Sequence, residues 1–396
     1  MDIGPPVTYV TWVPRRVLRV VTPVAGAVLS WVRSTSSALG RCRLVTRTYA
    51  SSARRRTAGG VVRSLVVLGA MVGAAGSAGA SPSRPLPASI SPAKADATLR
   101  RLTAGPVTQN VVLVSIDGLR PDAIEAFGAT TLQRLMREGT YTLDAKTILP
   151  SKTLPSHTSM LTGEDVDEHG ITWNTNQTGA HGTVEVPTIF DVARQAGLGT
   201  AAFFSKTKFE HLQRPGSLDY TQAPGNRLFG LLGDKWSASK TVGDAERYLA
   251  RSQPNLLFVH VGEADYAGHA SGWMSREYGR AVRTADAAVG RLLAAADRAY
   301  GAGNYTVIVT ADHGGNGRDH GSSDPRDVTI PWITWGKGVQ AGVQLEGIRT
   351  FDTASTALWL LGLAEPSDWA GTAVQTAFAL PAAPATVVAS EGSSQR

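Results

Sequence analysis

Three near-continuous apolar runs, at 111–116, 256–261 and 305–310, constrain the fold of this chain more than any other feature. VVLVSI, LLFVHV and YTVIVT are rich in β-branched residues and leave no polar face, so a strand built from any of them must be covered on both sides. Further strands are expected at 200–204 and 328–335, with helices at 131–138, 187–195, 242–251, 276–300 and 353–361. This alternation predicts an α/β domain with a mostly parallel central sheet and helices on both faces.

Each run ends beside acids and imidazoles. Asp117 follows the first, Asp265 and His269 the second, and Asp312 and His313 the third, with His320 a short step further on in GRDHG. Ligands in open α/β sheets sit beyond the carboxyl ends of the strands, so these side chains are expected at one edge of one domain. Asp117 alone would read as a turn cap. The four-residue spacing of Asp265 and His269 lets both converge on one ion, and a mixed Asp/His set suits a borderline divalent metal such as zinc. The pattern is that of a hydrolase with two metal ions.

Charge confines the rest of the reading. The first 80 residues hold eleven Arg, no Lys and one acid, Asp2, leaving 28 basic and 31 acidic residues elsewhere. The basic character of the chain therefore belongs to a leader, and no basic, aromatic-laced element points to nucleic acid. Arg54 to Arg63, an apolar stretch to Ala75 and the small residues Ala78, Gly79 and Ala80 follow the order of a secretory signal peptide. Export with cleavage near Ala80 is expected, with translation starting later than Met1 or a long natural leader before it. The apolar stretch 17–32 is interrupted by Arg19 and Pro23 and is too short to span a bilayer, so no stable membrane anchor is expected. Cys42, the one cysteine, lies in this leader, so disulfides and thiolate metal ligands are absent from the remainder. The expected organisation is leader 1–80, linker 81–105, hydrolase domain 106–380 and a mobile tail 381–396.

PSKTLPSHTSMLTG, 150–163, supplies a nucleophile. Thr153 precedes Leu154 and Pro155 and is expected as the N-cap of a helix, where free N–H groups and the positive helix end favour a bound phosphate. Read alone, a Thr in this place is ordinary helix punctuation. A nearby metal ion would ease loss of its proton.

These segments together resemble the alkaline phosphatase superfamily and, within it, the type I phosphodiesterase/nucleotide pyrophosphatase family, over most of 110–363. The resemblance implies that Asp117, Thr153, Asp312 and His313 hold one zinc ion and Asp265, His269 and His320 the other. It also implies that Asn174, in GITWN, contacts phosphate and forms an oxyanion pocket with the Thr153 N–H. His157 reads as a buried histidine hydrogen-bonded to backbone, with the orienting of a metal ligand as the alternative, and His169 as structural, while His181, His211 and His260 have no motif support. Leu154 stands where nucleotide-cleaving members carry an aromatic residue, which removes a base-stacking platform. Thr153 and the Pro-Ser-His that follows Leu154 do not fit the Cys/Ser-x-Pro-x-Arg motif of sulfatases.

The expected function is an exported phosphoric-ester hydrolase acting on a small phosphate ester through a phosphothreonine. Diesters are its first expected substrates. A phosphomonoesterase is the alternative, with Lys152 as the extra cation it would need. A non-catalytic metal-binding protein is the third reading, which the complete ligand set disfavours.

Overall fold

A computed structural model describes residues 105–224 and 235–379 and, before them, the backbone of four short strands. Those four are β1 (Tyr9–Val13) paired antiparallel with β2 (Val17–Val21), and β3 (Pro23–Val24) paired antiparallel with β4 (Ala27–Val28). The expected signal peptide, Cys42, nearly all of the linker and the tail lie outside the described residues. Among the described residues no helix is long and apolar enough to cross a membrane.

The domain is built on one eight-stranded sheet. Its strands are β5 (Val111–Ile116), β6 (Thr140–Lys146), β7 (Thr200–Phe203), β8 (Tyr220–Gln222), β9 (Leu256–Val261), β10 (Thr306–Thr310), β11 (Thr329–Gly336) and β12 (Val343–Gln344), in the spatial order β12-β6-β11-β10-β5-β9-β7-β8. All neighbours pair in parallel except at β11, which runs against both β10 and β6. Every residue of β5, β9 and β10 is buried, as apolar runs without a polar face require.

Two packed groups of helices cover the sheet. In one, the helix Arg276–Tyr300 lies against Ala238–Leu249, Glu263–Ser271, Thr130–Glu138 and Pro121–Ala126. In the other, Asp352–Leu360 lies against Thr153–Thr162 and Ile189–Gln195. Arg276–Tyr300 has the bounds its sequence predicts because both ends are punctuated: the Ser275 side chain accepts from Tyr278 N–H, and Gly301 takes a φ of 89°. The helix expected at 242–251 starts earlier, at Ala238, because Ser237 caps a first turn too polar to show in the apolar periodicity.

The strand order reverses around β5. Chain leaving β5 moves to one side of the sheet and later returns β9 and β10 to either flank of it, which is the arrangement that opens a crevice at the carboxyl ends of the strands.

Candidate active site

Three adjacent strands deliver three acids to that crevice. Asp117 follows β5 directly, Asp312 lies just beyond β10, and β9 feeds the helix Glu263–Ser271, which carries Asp265 in its first turn and His269 in its last. The close approach depends on Gly118. Its φ is 73°, and a Cβ there would lie 3.0 Å from Asp265 Cα, so only glycine lets this loop run against the Asp265 backbone without displacing it. Asp265 N–H donates to Asp117 O at 3.0 Å, while Trp273 Nε1 and Tyr278 Oη both donate to Gly118 O at 2.9 Å.

The side chains form two sets of potential metal ligands. Asp117, Asp312 and His313 make one, and Asp265, His269 and His320 the other. Asp117 Oδ1, Asp312 Oδ2 and Asp265 Oδ1 are buried without a hydrogen-bond partner. Buried carboxylate oxygens left in this way carry a desolvation cost that a cation would relieve.

The imidazoles fit the same reading. His313 Nδ1–H donates to Gly314 O at 2.8 Å, which turns Nε2 toward Asp312 Oδ2 at 3.2 Å and Asp117 Oδ1 at 3.5 Å. His269 and His320 likewise donate Nδ1–H to carbonyls, of Arg318 at 3.0 Å and Ser151 at 2.8 Å, and their Nε2 atoms face each other at 3.2 Å beside Asp265 Oδ1. Three acceptor atoms meeting at one point need either a proton or a metal ion among them. The Asp265 carboxylate, 3.2 Å from its Nε2, raises His269, and an ion bound at this point would compete with a proton for the same atoms. Burial pushes His313 down to about 3, followed by the effect of its neighbour His320, and burial lowers His320 as well, so both stand in the neutral form that ligates.

Thr153 meets the first set, with its Oγ1 3.4 Å from His313 Nε2. It is the first residue of the helix Thr153–Thr162 and not its N-cap as expected; Lys152 holds the cap position and makes no side-chain cap bond. Its place inside the helix leaves one N–H at this end. Leu154 N–H donates to Asn174 Oδ1 at 3.1 Å, Pro155 has none, Ser156 N–H donates to Lys152 O at 3.0 Å, and Thr153 N–H has no partner among the described residues. Asn174 receives a second donor on Oδ1, Lys208 Nζ at 2.8 Å, which fixes the amide with its NH2 free to donate.

Sequence reasoning missed three residues here. Lys206 is buried with Nζ 2.6 Å from both Asp117 Oδ2 and Asp265 Oδ2. Burial opposes its charge, but the two carboxylates outweigh this and hold it well above the usual lysine range. Burial pushes Asp117 up, yet Lys206 and His260 more than offset it and keep the carboxylate ionised, whereas burial and the charge of Asp117 raise Asp312. His260 accepts from Ser205 N–H and Oγ–H on Nδ1 and donates Nε2–H to Asp117 Oδ2 at 2.8 Å. The third is Lys208. Signals for them existed: SKTK follows a predicted strand as the acids do, and a lone histidine inside LLFVHV must find a buried partner.

Of the other histidines, His157 and His169 are held by backbone and hydroxyl groups, and His157 Nδ1 also lies 3.3 Å from Asp312 Oδ2. His157 donates Nδ1–H to Thr153 O at 2.8 Å and accepts from Ser115 Oγ, and His169 is held by Ser159 Oγ and Ile171 N–H.

Lys206 gives a stability prediction. Lys206→Met removes the cation between two buried carboxylates, and the metal-free protein is expected to lose about 3 kcal/mol. Denaturant melts in chelator measure this, and equal midpoints for parent and variant would show that Lys206 does not balance the pair.

The model of the family "Type I phosphodiesterase / nucleotide pyrophosphatase" matches residues 111–320. Among curated relatives, GPI ethanolamine phosphate transferase 1 of Gibberella zeae is 25% identical over 223 residues, covering 52% of this chain and 22% of the relative. Bis(5'-adenosyl)-triphosphatase enpp4 of Xenopus laevis is 27% identical over 222 residues, covering 52% and 47%. The chain thus spans about half or less of the length of these relatives. Among solved structures, inactive murine ectonucleotide pyrophosphatase/phosphodiesterase 5 in complex with AMP superposes with a TM-score of 0.58 at 17% identity, over 69% of this chain and 100% of that one.

Proposed function

This chain belongs to the type I phosphodiesterase/nucleotide pyrophosphatase family, and from that premise we propose that it is an exported phosphoric-ester hydrolase in which Thr153 attacks phosphorus. The observation that carries the reading is a hydroxyl set against one of two adjacent groups of potential metal ligands, with Thr153 Oγ1 3.4 Å from His313 Nε2. Asp117, Asp312 and His313, with Thr153, would hold one divalent ion and Asp265, His269 and His320 the other; zinc suits these donors. Two such ions would supply Lewis acidity at the Thr153 hydroxyl and at the departing oxygen.

The chain's own residues do the rest. The rigid first turn of Thr153–Thr162 aims Oγ1, which forms a bond to phosphorus as the ester oxygen leaves. Thr153 N–H and the Asn174 amide donate to the phosphoryl oxygen on which charge develops. Water then cleaves the phosphothreonine, releasing phosphate or a monoester and restoring the hydroxyl. Gly118, with its carbonyl braced by Trp273 and Tyr278, keeps the two ligand sets adjacent.

Family membership favours diesters as substrates. A second reading, transfer to an alcohol in place of water, is favoured by relatives named as ethanolamine phosphate transferases. Export is supported by the Arg-rich, apolar, small-residue order before Ser81. The test is turnover of p-nitrophenyl phosphate and bis-p-nitrophenyl phosphate by the zinc-loaded protein, with products analysed in water and in added ethanolamine. Release of p-nitrophenol is expected from at least one ester. Bound metal with no turnover of either would leave a binding protein, and a phosphoethanolamine product would establish transfer.

A further inference from the structure

Two lysines that the sequence did not single out stand among the residues of this site. Lys206 is committed to Asp117 and Asp265. Lys152, the cation expected from sequence, runs its stem past Gly321, where a Cβ would lie 2.8 Å from Lys152 Cε. Lys208 is placed differently. Its Nζ donates to Asn174 Oδ1 at 2.8 Å and approaches Asn174 O at 3.4 Å, on the amide that also receives the Leu154 N–H. An ammonium has three N–H bonds, and Asn174 can take two of them. No carboxylate forms an ion pair with Lys208 among the described residues. Burial, followed by repulsion from Lys206, brings its pKa down to about 8 against the pull of Asp117, Asp265 and Asp312.

We propose that Lys208 is a specificity-determining residue: its remaining N–H pairs with a second negative charge on the substrate, so that the site selects doubly charged phosphoryl substrates over simple diesters. The proposal rests on attack at phosphorus as described above and goes beyond it in naming the charge of the substrate. The same chemistry has two sources, the dianion of a terminal phosphate or the adjoining phosphate of a pyrophosphate diester. A charge-assisted hydrogen bond at Lys208 orients either one against Thr153.

The experiment compares kcat/KM of the zinc-loaded parent, Lys208→Gln and Lys208→Arg on three esters. Bis-p-nitrophenyl phosphate carries one charge, p-nitrophenyl phosphate two on one phosphorus, and NAD one on each of two. Relative to bis-p-nitrophenyl phosphate, Lys208→Gln is expected to lose roughly ten- to a hundredfold on the doubly charged substrate, with partial recovery in Lys208→Arg. The ester that loses most identifies the source. Calorimetric titration of the zinc-loaded parent and of Lys208→Gln with inorganic phosphate and dimethyl phosphate gives a readout independent of turnover: the parent is expected to bind phosphate at least tenfold tighter, and Lys208→Gln to lose most of that preference. Unchanged ratios in Lys208→Gln, or equal binding of the two ligands by the parent, would overturn the proposal. If no ester turned over, the hydrolase reading would fail, and the calorimetric comparison would still decide the role of Lys208.

Discussion

Replacing Thr153 by alanine is expected to lower kcat/KM for phosphoric esters by roughly a thousandfold or more, because it removes the hydroxyl that lies against the His313 set and would form the ester bond. The substitution removes Thr153 Oγ1 but leaves Asp117, Asp312 and His313 for one ion, Asp265, His269 and His320 for the other, and the backbone N–H at 153, so metal content is expected to match the parent. Stability changes little: Thr153 is not the helix cap, and loss of its buried methyl costs about 1 kcal/mol. Thr153→Ser keeps the attacking oxygen and is expected to retain measurable turnover. Rapid-mix experiments on the parent should trap label on Thr153 when a phosphorus-labelled ester is used. A fully metal-loaded Thr153→Ala protein working at near the parent rate would replace the covalent route with direct attack by water.

Removing metal is expected to cost roughly a hundredfold or more in rate, and to do so in two stages. The Asp117, Asp312 and His313 side chains are fully buried, whereas the His269 side chain is 42% exposed. A chelator therefore reaches the Asp265, His269 and His320 set first, and the inner set yields only when the loops after β5 and β10 open. Stopped dialysis with elemental analysis should find an intermediate near one ion per chain, and added zinc should restore activity. Full activity in protein stripped of all metal would sink the two-ion reading. A single-step loss would mean that the two sets do not differ in access.

The parts of this fold that were readable in the sequence are those whose burial is uniform. VVLVSI, LLFVHV and TVIVT declare themselves because central parallel strands admit no polar face. The sheet's other side was harder. TYTLDAK in β6 mixes Thr, Asp and Lys with few apolar residues, and its place beside β11 follows from partner strands far away in sequence. The short β8 and β12 carry too few residues for any periodicity. For the site, acids after strand ends were legible because strand direction carries them to one edge. Lys206, Lys208 and His260 were not, since lysine is ordinarily a solvated residue and a histidine within a strand has no fixed meaning until its neighbours are known.

Ser115 on β5 pairs with Thr310 on β10 and with His260 on β9, so the three central strands share one reference row from which their acids project. Sliding any one of them by a single residue would carry its acid about 3.3 Å along the sheet and turn its side chains to the opposite face. That displacement exceeds the length of a typical bond from zinc to oxygen, about 2 Å. Insertions and deletions are thus tolerable where helices cross from one strand to the next and ruinous within β5, β9 or β10. Among relatives of widely different length, it is the count of residues in these three strands that must stay constant for the chemistry to survive.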